Sequence, residues 1–220
     1  MCARFCLTAP GDVVASLFGL SEPPDLSPRY NIAPSTPVAA VTEPQSGSRV
    51  LRLYRWGLVP PWAKDASFGP INARAETAAE KPTFRAALRR RRCLVPATGF
   101  FEWREEGGRK QPYLFHRSDD LPFGIAGIWE TYEGADGAFE SLALLTTASN
   151  ELVSPYHDRM PVIVPHDQFD RWLDPDLQKP ERLADLLAPA PWPDMVVHPV
   201  DRRVGNPRFD VPEAIRPLAP

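Results

Sequence analysis

The chain has 220 residues, 43% of them hydrophobic and 10% aromatic, which is enough for a substantial core and suits one domain spanning residues 1–220. Its net charge of −3 gives no global attraction to a polyanion, so any contact with nucleic acid must come from local clusters of cations. No run of about 18 apolar residues occurs, and the N-terminus lacks a basic stretch followed by an apolar one; neither a membrane span nor a secretory signal is expected, and a cytoplasmic protein is.

The 27 prolines run from Pro10 to Pro220 rather than gathering in a linker, which favours many short elements joined by stiff turns. A short helix is expected over Asp12 to Phe18, with Asp12 as N-cap and Gly19 as the stop. Strand patterns follow at Val38 to Val41, Val50 to Trp56, Cys93 to Val95, Tyr113 to His116, Phe123 to Trp129, Leu142 to Thr146, Pro161 to Val164 and Met195 to His198. Helical stretches interrupt them at Thr83 to Arg91, His166 to Leu173 and Pro180 to Leu187. Regular βα alternation is absent. The expected fold is therefore α+β, a compact single domain with a curved, largely antiparallel, barrel-like sheet and peripheral helices.

Cys2 is the residue with the most distinctive chemistry. Removal of Met1 would leave a 1,2-aminothiol, in which an α-amine titrating near ~8 and a thiol near ~8.5 can close an aldehyde into a thiazolidine ring. Cys2 can equally be read as the first residue of an edge strand. Three cysteines, Cys2, Cys6 and Cys93, form no disulfide framework, and Cys2 and Cys6 without a second paired cluster are a weak metal signal; no metal is assigned.

Three segments carry more polar groups than ordinary structure needs. In Asn72-Ala73-Arg74-Ala75-Glu76 an amide, a guanidinium and a carboxylate would share one face if extended, although Arg74 and Glu76 could be a surface pair. In Gly99-Phe100-Phe101-Glu102-Trp103 a carboxylate sits among three rings; shielded, its pKa would rise toward neutrality, whereas on an outward-facing strand position it would not. In Tyr156-His157-Asp158-Arg159 a histidine precedes an apolar strand and can act as acid or base, or be an ordinary loop residue. His116, His166 and His198 have no comparable sequence neighbours. Trp62 follows the stiff pair Pro60-Pro61 and is either presented to solvent, where it could stack on a nucleobase, or buried under a loop. The run Arg89 to Arg92 lies near a helix end and is read first as structural.

Six segments taken together, Met1-Cys2-Ala3-Arg4-Phe5, Arg29-Tyr30-Asn31-Ile32-Ala33-Pro34, Trp56-Gly57-Leu58-Val59-Pro60, Asn72 to Thr77, Gly99 to Trp103 and His157 to Pro161, resemble the SRAP family in order and spacing. These are the SOS response-associated peptidase proteins, understood as abasic-site processing proteins. The resemblance implies a monomer that meets abasic sites in single-stranded DNA and traps the open aldehyde on Cys2, without metal or redox cofactor. It also implies a nucleoid-associated location when DNA is bound. By the same resemblance, Glu102 shuttles protons, His157 assists opening of the sugar, Asn72 orients the N-terminus, and Thr146 adds a hydroxyl. Arg4, Asn31, Trp62, Arg74, Trp103 and Arg159 match positions facing DNA. Ala3 departs from a family glycine, and Cys6 places a further thiol near the first. The family's older name leaves a thiol peptidase or autopeptidase as the competing reading.

Overall fold

Runs of buried residues, continuous along Arg92–Ala97 and residues 141–147, form the strands of two sheets. The computed structural model describes residues 2–44, 47–66, 69–134 and 137–218. In chain order the elements are β1 (Phe5–Leu7), α1 (Gly11–Phe18), β2 (Arg29–Ile32), β3 (Pro37–Thr42), β4 (Val50–Trp56), β5 (Asn72–Arg74), α2 (Ala75–Ala78), α3 (Arg85–Arg90), β6 (Arg92–Ala97), β7 (Gly99–Glu106), β8 (Arg109–Arg117), β9 (Phe123–Gly134), β10 (Gly137–Ala148), β11 (Arg159–Pro161), β12 (Ile163–Val164), α4 (Phe169–Leu173), α5 (Ala184–Leu187) and β13 (Met195–Pro199). Short 3₁₀ turns lie at His166–Gln168, Pro180–Leu183, Arg202–Gly205 and Pro212–Ile215.

The strands β10, β4, β3, β6 and β9 pair in that order, and β9 pairs back onto β10, which closes a five-stranded barrel. Closure removes the exposed edges that an open sheet would carry. Strands β11, β12 and β5 extend the barrel wall; β5 and β4 run parallel to β10, and the other pairings of this sheet are antiparallel. The second sheet, β13-β8-β7-β1-β2, is wholly antiparallel. No helix among the described residues is long and apolar enough to cross a membrane.

Two contacts tie the N-terminal strand into this frame. Phe5 packs edge-on against Trp56, ring centroids 5.2 Å apart, while the Trp56 indole N–H donates to the Ile71 carbonyl at 2.9 Å. Gly99, where β7 pairs with β1, is needed because a Cβ there would stand 2.8 Å from Leu114 Cδ1 and 2.9 Å from the Phe115 carbonyl oxygen. The pleat then sorts the side chains of the second sheet. Cys2, Phe5, Phe100, Tyr113 and Phe115 join the main core, whereas Cys6, Phe101 and Leu114 form a smaller cluster on the opposite face.

The helices differ from expectation at their ends. Gly19 does terminate α1, at φ 69° with its N–H on the Ala15 carbonyl, but the helix begins at Gly11 with Pro10 as N-cap. Asp12 lies inside the first turn and accepts from the adjacent Val13 N–H instead. Expected continuous helices at His166 to Leu173 and Pro180 to Leu187 each divide into a 3₁₀ turn followed by a short α-helix, and Thr83 to Arg91 shrinks to α3 because Arg92 already enters β6. Arg92 is structural, as its guanidinium donates to the Leu88, Arg89, Trp172 and Asp174 carbonyls and so satisfies the C-terminal ends of α3 and α4.

Candidate active site

Cys2 is fully buried, and its carbonyl accepts a 2.9 Å hydrogen bond from the Asn72 side-chain amide on β5. Burial drives the Cys2 thiol far above the usual cysteine range, and the nearby Glu102 carboxylate adds to the rise. The sulfur therefore rests protonated, whereas an ordinary thiol near ~8.5 would be partly ionised at neutral pH. Asn72 Oδ1 is buried with no hydrogen-bond partner among the described residues, an acceptor held beside the N-terminal segment.

Glu102 projects from β7 on the face of the second sheet that carries Cys2, Phe100 and Tyr113. It is 2% exposed, so the shielded alternative is the one realised and the outward-facing one is not. Desolvation raises its pKa to about 7, with the Asp158 carboxylate contributing in the same direction. A carboxyl so placed is poised to give or take a proton at neutral pH.

His157 arrives on the loop between β10 and β11. Its Nδ1 faces two groups with opposite demands: the Arg159 backbone N–H, at 2.9 Å, needs a lone pair, and Asp158 Oδ1, at 2.8 Å, needs a proton. Burial lowers the His157 pKa and the Asp158 carboxylate only partly offsets this, so the neutral ring is favoured, with Nδ1 contested between the two groups. When the ring gains a proton, Asp158 is in place to hold it.

The loop is fixed by its aromatic residue. Tyr156 packs against Tyr113 at 4.6 Å and Phe115 at 5.2 Å between ring centroids, both on the Glu102 face of β8. The Arg104 guanidinium lies 5.0 Å from both tyrosine rings, and Tyr113 donates to Glu106 at 2.5 Å. Sequence reasoning does not single out Tyr113, Tyr156 or Arg104. The period-two series Glu102, Arg104, Glu106 on one strand face is the signal for Arg104; nothing local marks Tyr113.

The match to the family described as SOS response associated peptidase (SRAP) spans residues 1–207. The chain belongs to the SRAP family. It is 37% identical over 222 residues to a Bacillus subtilis relative named abasic site processing protein YoaM, covering 98% of this chain and 97% of that protein. A 30% identity relates it to the Escherichia coli protein named abasic site processing protein YedK, over 99% of this chain and all of that one. Among solved structures, a Bacteroides thetaiotaomicron protein superposes with a TM-score of 0.87 at 28% identity, over 99% of this chain and all of that one.

The remaining positions singled out by the SRAP resemblance divide into three groups. Arg74 and Trp62 are exposed, Trp62 at 64%, so the solvent-facing alternative holds for the indole. Arg159 forms a two-point ion pair with Glu76, at 2.5 and 2.8 Å, and also donates to the Thr146 carbonyl at 2.6 Å and its hydroxyl at 3.4 Å. The Glu76 partner is thus Arg159, not Arg74, and Thr146 is fully buried beneath it.

The third group is held mainly by contacts within the chain. Asn31 is 1% exposed and its amide reaches the Val204, Asn206 and Phe209 carbonyls at 3.0–3.1 Å, so its side chain has no surface to offer DNA. Arg4 donates from Nη1 to Asn31 Oδ1 and the Val204 carbonyl, and only its Nη2 edge, 3.5 Å from the Gly205 carbonyl, reaches the surface. Trp103 falls on the opposite face of β7 from Glu102 and packs with Tyr30 and Phe209 against the smaller cluster, because adjacent strand residues point to opposite faces. Cys6 lies on that same far face, its thiol near Thr98 and pushed up to about 12 by burial, so it is no second thiol for the Cys2 site. Ala3 carries no positive φ; among described non-glycine residues only Ser35 and Asp120 do, so its backbone conformation does not require glycine.

Proposed function

We propose that this protein processes abasic sites in single-stranded DNA by covalent capture on Cys2. The observation that carries this reading is Glu102, buried and titrating at about 7 beside the Cys2 thiol, in a chain whose relatives bear the name abasic site processing protein. An abasic sugar is mostly a closed ring, and protonation of the ring oxygen opens it to an aldehyde. The protonated Glu102 supplies that acid; His157 does so only as the imidazolium, which the Asp158 carboxylate beside Nδ1 stabilises. Once Met1 is gone, the Cys2 amine adds to the aldehyde, and Glu102 delivers the proton that lets water leave as the imine forms. The Cys2 S–H then adds across the C=N bond; sulfur bonds to carbon, the proton passes to nitrogen, and a thiazolidine closes with net loss of one water.

The burial of the thiol fits this order. A protonated sulfur does not compete with the amine for the aldehyde, and it becomes a nucleophile only when a neighbouring base removes its proton. Asn72 Oδ1 is an acceptor for the new Cys2 ammonium or amine, while its Nδ2 holds the Cys2 carbonyl. Arg74 offers a charge to the phosphates, and the exposed Trp62 offers a stacking surface for an unpaired base.

The peptidase reading fits less well. A thiol peptidase rests on a thiolate, and burial opposes one at Cys2.

The test is incubation of the mature chain, confirmed by intact mass to begin at Cys2, with uracil-excised single-stranded DNA. The expected product is an adduct stable to detergent and heat, lighter by one water than its two components and absent in Cys2→Ala. Mature protein that gives no adduct with any abasic strand refutes the proposal.

A further inference from the structure

On the face of the second sheet opposite Cys2 and Glu102, His116 of β8 and His198 of β13 meet across the strand pair, with His116 Nε2 3.2 Å from His198 Nδ1. Neither residue takes part in the chemistry above. The outer nitrogen of each ring is committed. His116 Nδ1 lies 3.0 Å from the Asp120 carboxylate, and His198 Nε2 lies 3.0 Å from the Ile215 carbonyl oxygen. Neither an ionised carboxylate nor a carbonyl can donate, so both outer nitrogens must carry the hydrogens.

That leaves the two inner nitrogens as facing lone pairs when both rings are neutral. Two lone pairs at this separation repel unless a cation lies between them, and only a proton or a metal ion can do so. Nitrogens bound at ~2.0–2.1 Å to one tetrahedral ion stand ~3.3 Å apart, close to the spacing found here. The outer contacts match the way metal-bound histidines are held, by a carboxylate on one ring and a backbone carbonyl on the other. Asp120 reaches its place from a left-handed turn, φ 57°.

The pair opens onto a cavity of about 540 Å³ lined by Cys6, Thr8, Thr98, Leu114, Ile215 and Pro217 among others. Arg216 also borders it, with its charge matched by Glu213 at 3.2 Å. No group of three His, Cys, Asp or Glu among the described residues is placed to hold a metal, so two imidazoles are the whole protein contribution and water in the cavity completes the shell.

We propose that His116 and His198 form a divalent transition-metal site, selective for imidazole-preferring ions of the zinc and copper class, with open positions facing the cavity. The ion replaces the shared proton and joins β8 to β13. Through Ile215 it also anchors the C-terminal 3₁₀ turn at Pro212–Ile215. The site is separate from Cys2 and holds whether or not the protein captures abasic DNA.

The test uses the full chain without an affinity tag, stripped with chelator and titrated with zinc chloride by calorimetry, then with Co²⁺ in the visible range. One equivalent of Zn²⁺ is expected, with Co²⁺ bands of nitrogen and oxygen ligation. His116→Asn and His198→Asn should each abolish it, and Asp120→Asn, at an exposed side chain that leaves both rings in place, should weaken it about 10–100-fold. The Cys2→Ser chain should bind as the parent does. Absence of binding in the folded parent, binding that survives both histidine changes, or a Co²⁺–thiolate charge-transfer band would each overturn the proposal.

Discussion

Glu102 shows how one residue trades stability for chemistry. Its folded pKa of about 7 stands above the ordinary glutamate value of 4.5, so the folded protein holds an extra proton between those values. The stability contribution is complete below about pH 4.5 and is lost as pH rises through 7. Glu102→Gln should therefore match the parent near pH ~4 and gain on the order of 1–3 kcal/mol at pH ~8, measured by denaturant unfolding at both values. The same change should slow adduct formation by roughly 10²–10⁴-fold and remove any decline of rate above about pH 7. A variant destabilised on the alkaline side, or one that crosslinks at the parental rate, would contradict the role assigned to this carboxyl.

At the scale of elements, the segment 202–210 is the clearest case of distant sequence acting locally. Asn31 grips three of its carbonyls, Arg4 reaches the Gly205 carbonyl, and Asp210 Oδ1 accepts from the Tyr30 and Asn31 backbone N–H groups at 2.5 and 2.9 Å. Asn31→Ala should cost about 1–3 kcal/mol in denaturant unfolding, since it leaves buried acceptors unsatisfied. It should leave affinity for undamaged single-stranded DNA unchanged by fluorescence anisotropy. Weaker DNA binding at unaltered stability would return Asn31 to the DNA-facing group. Strands β2 and β5 belong to the same class of feature: Arg-Tyr-Asn and Asn-Ala-Arg show no apolar alternation, and they are strands because β1 and β10 supply their ladders.

For the whole molecule, the balance of charge decides how DNA can be met. The net charge is −3, and Arg4 and Arg159, two of the expected cations, are largely committed to internal acceptors or to Glu76. Arg74 is the exposed one. Arg74→Ala should weaken binding to single strands of any sequence and reduce the slope of log affinity against log salt by about 0.7, the value for one lost phosphate contact. An unchanged slope would place the DNA path elsewhere on the surface.

The α+β class, most strand positions and the reactivity open to Cys2, Glu102 and His157 were legible in the sequence, because these follow from period, turn residues and functional-group chemistry. Folding selected among the alternatives that the sequence left open. Burial made Glu102 a neutral-pH acid and kept the Cys2 sulfur protonated, and the pleat of β7 sent Trp103 and Cys6 to the far face. Asn31 became a clamp, and His116 met His198 across 82 residues of chain. Desolvation, strand register and lone-pair geometry arise between residues distant in sequence, and no local pattern encodes them.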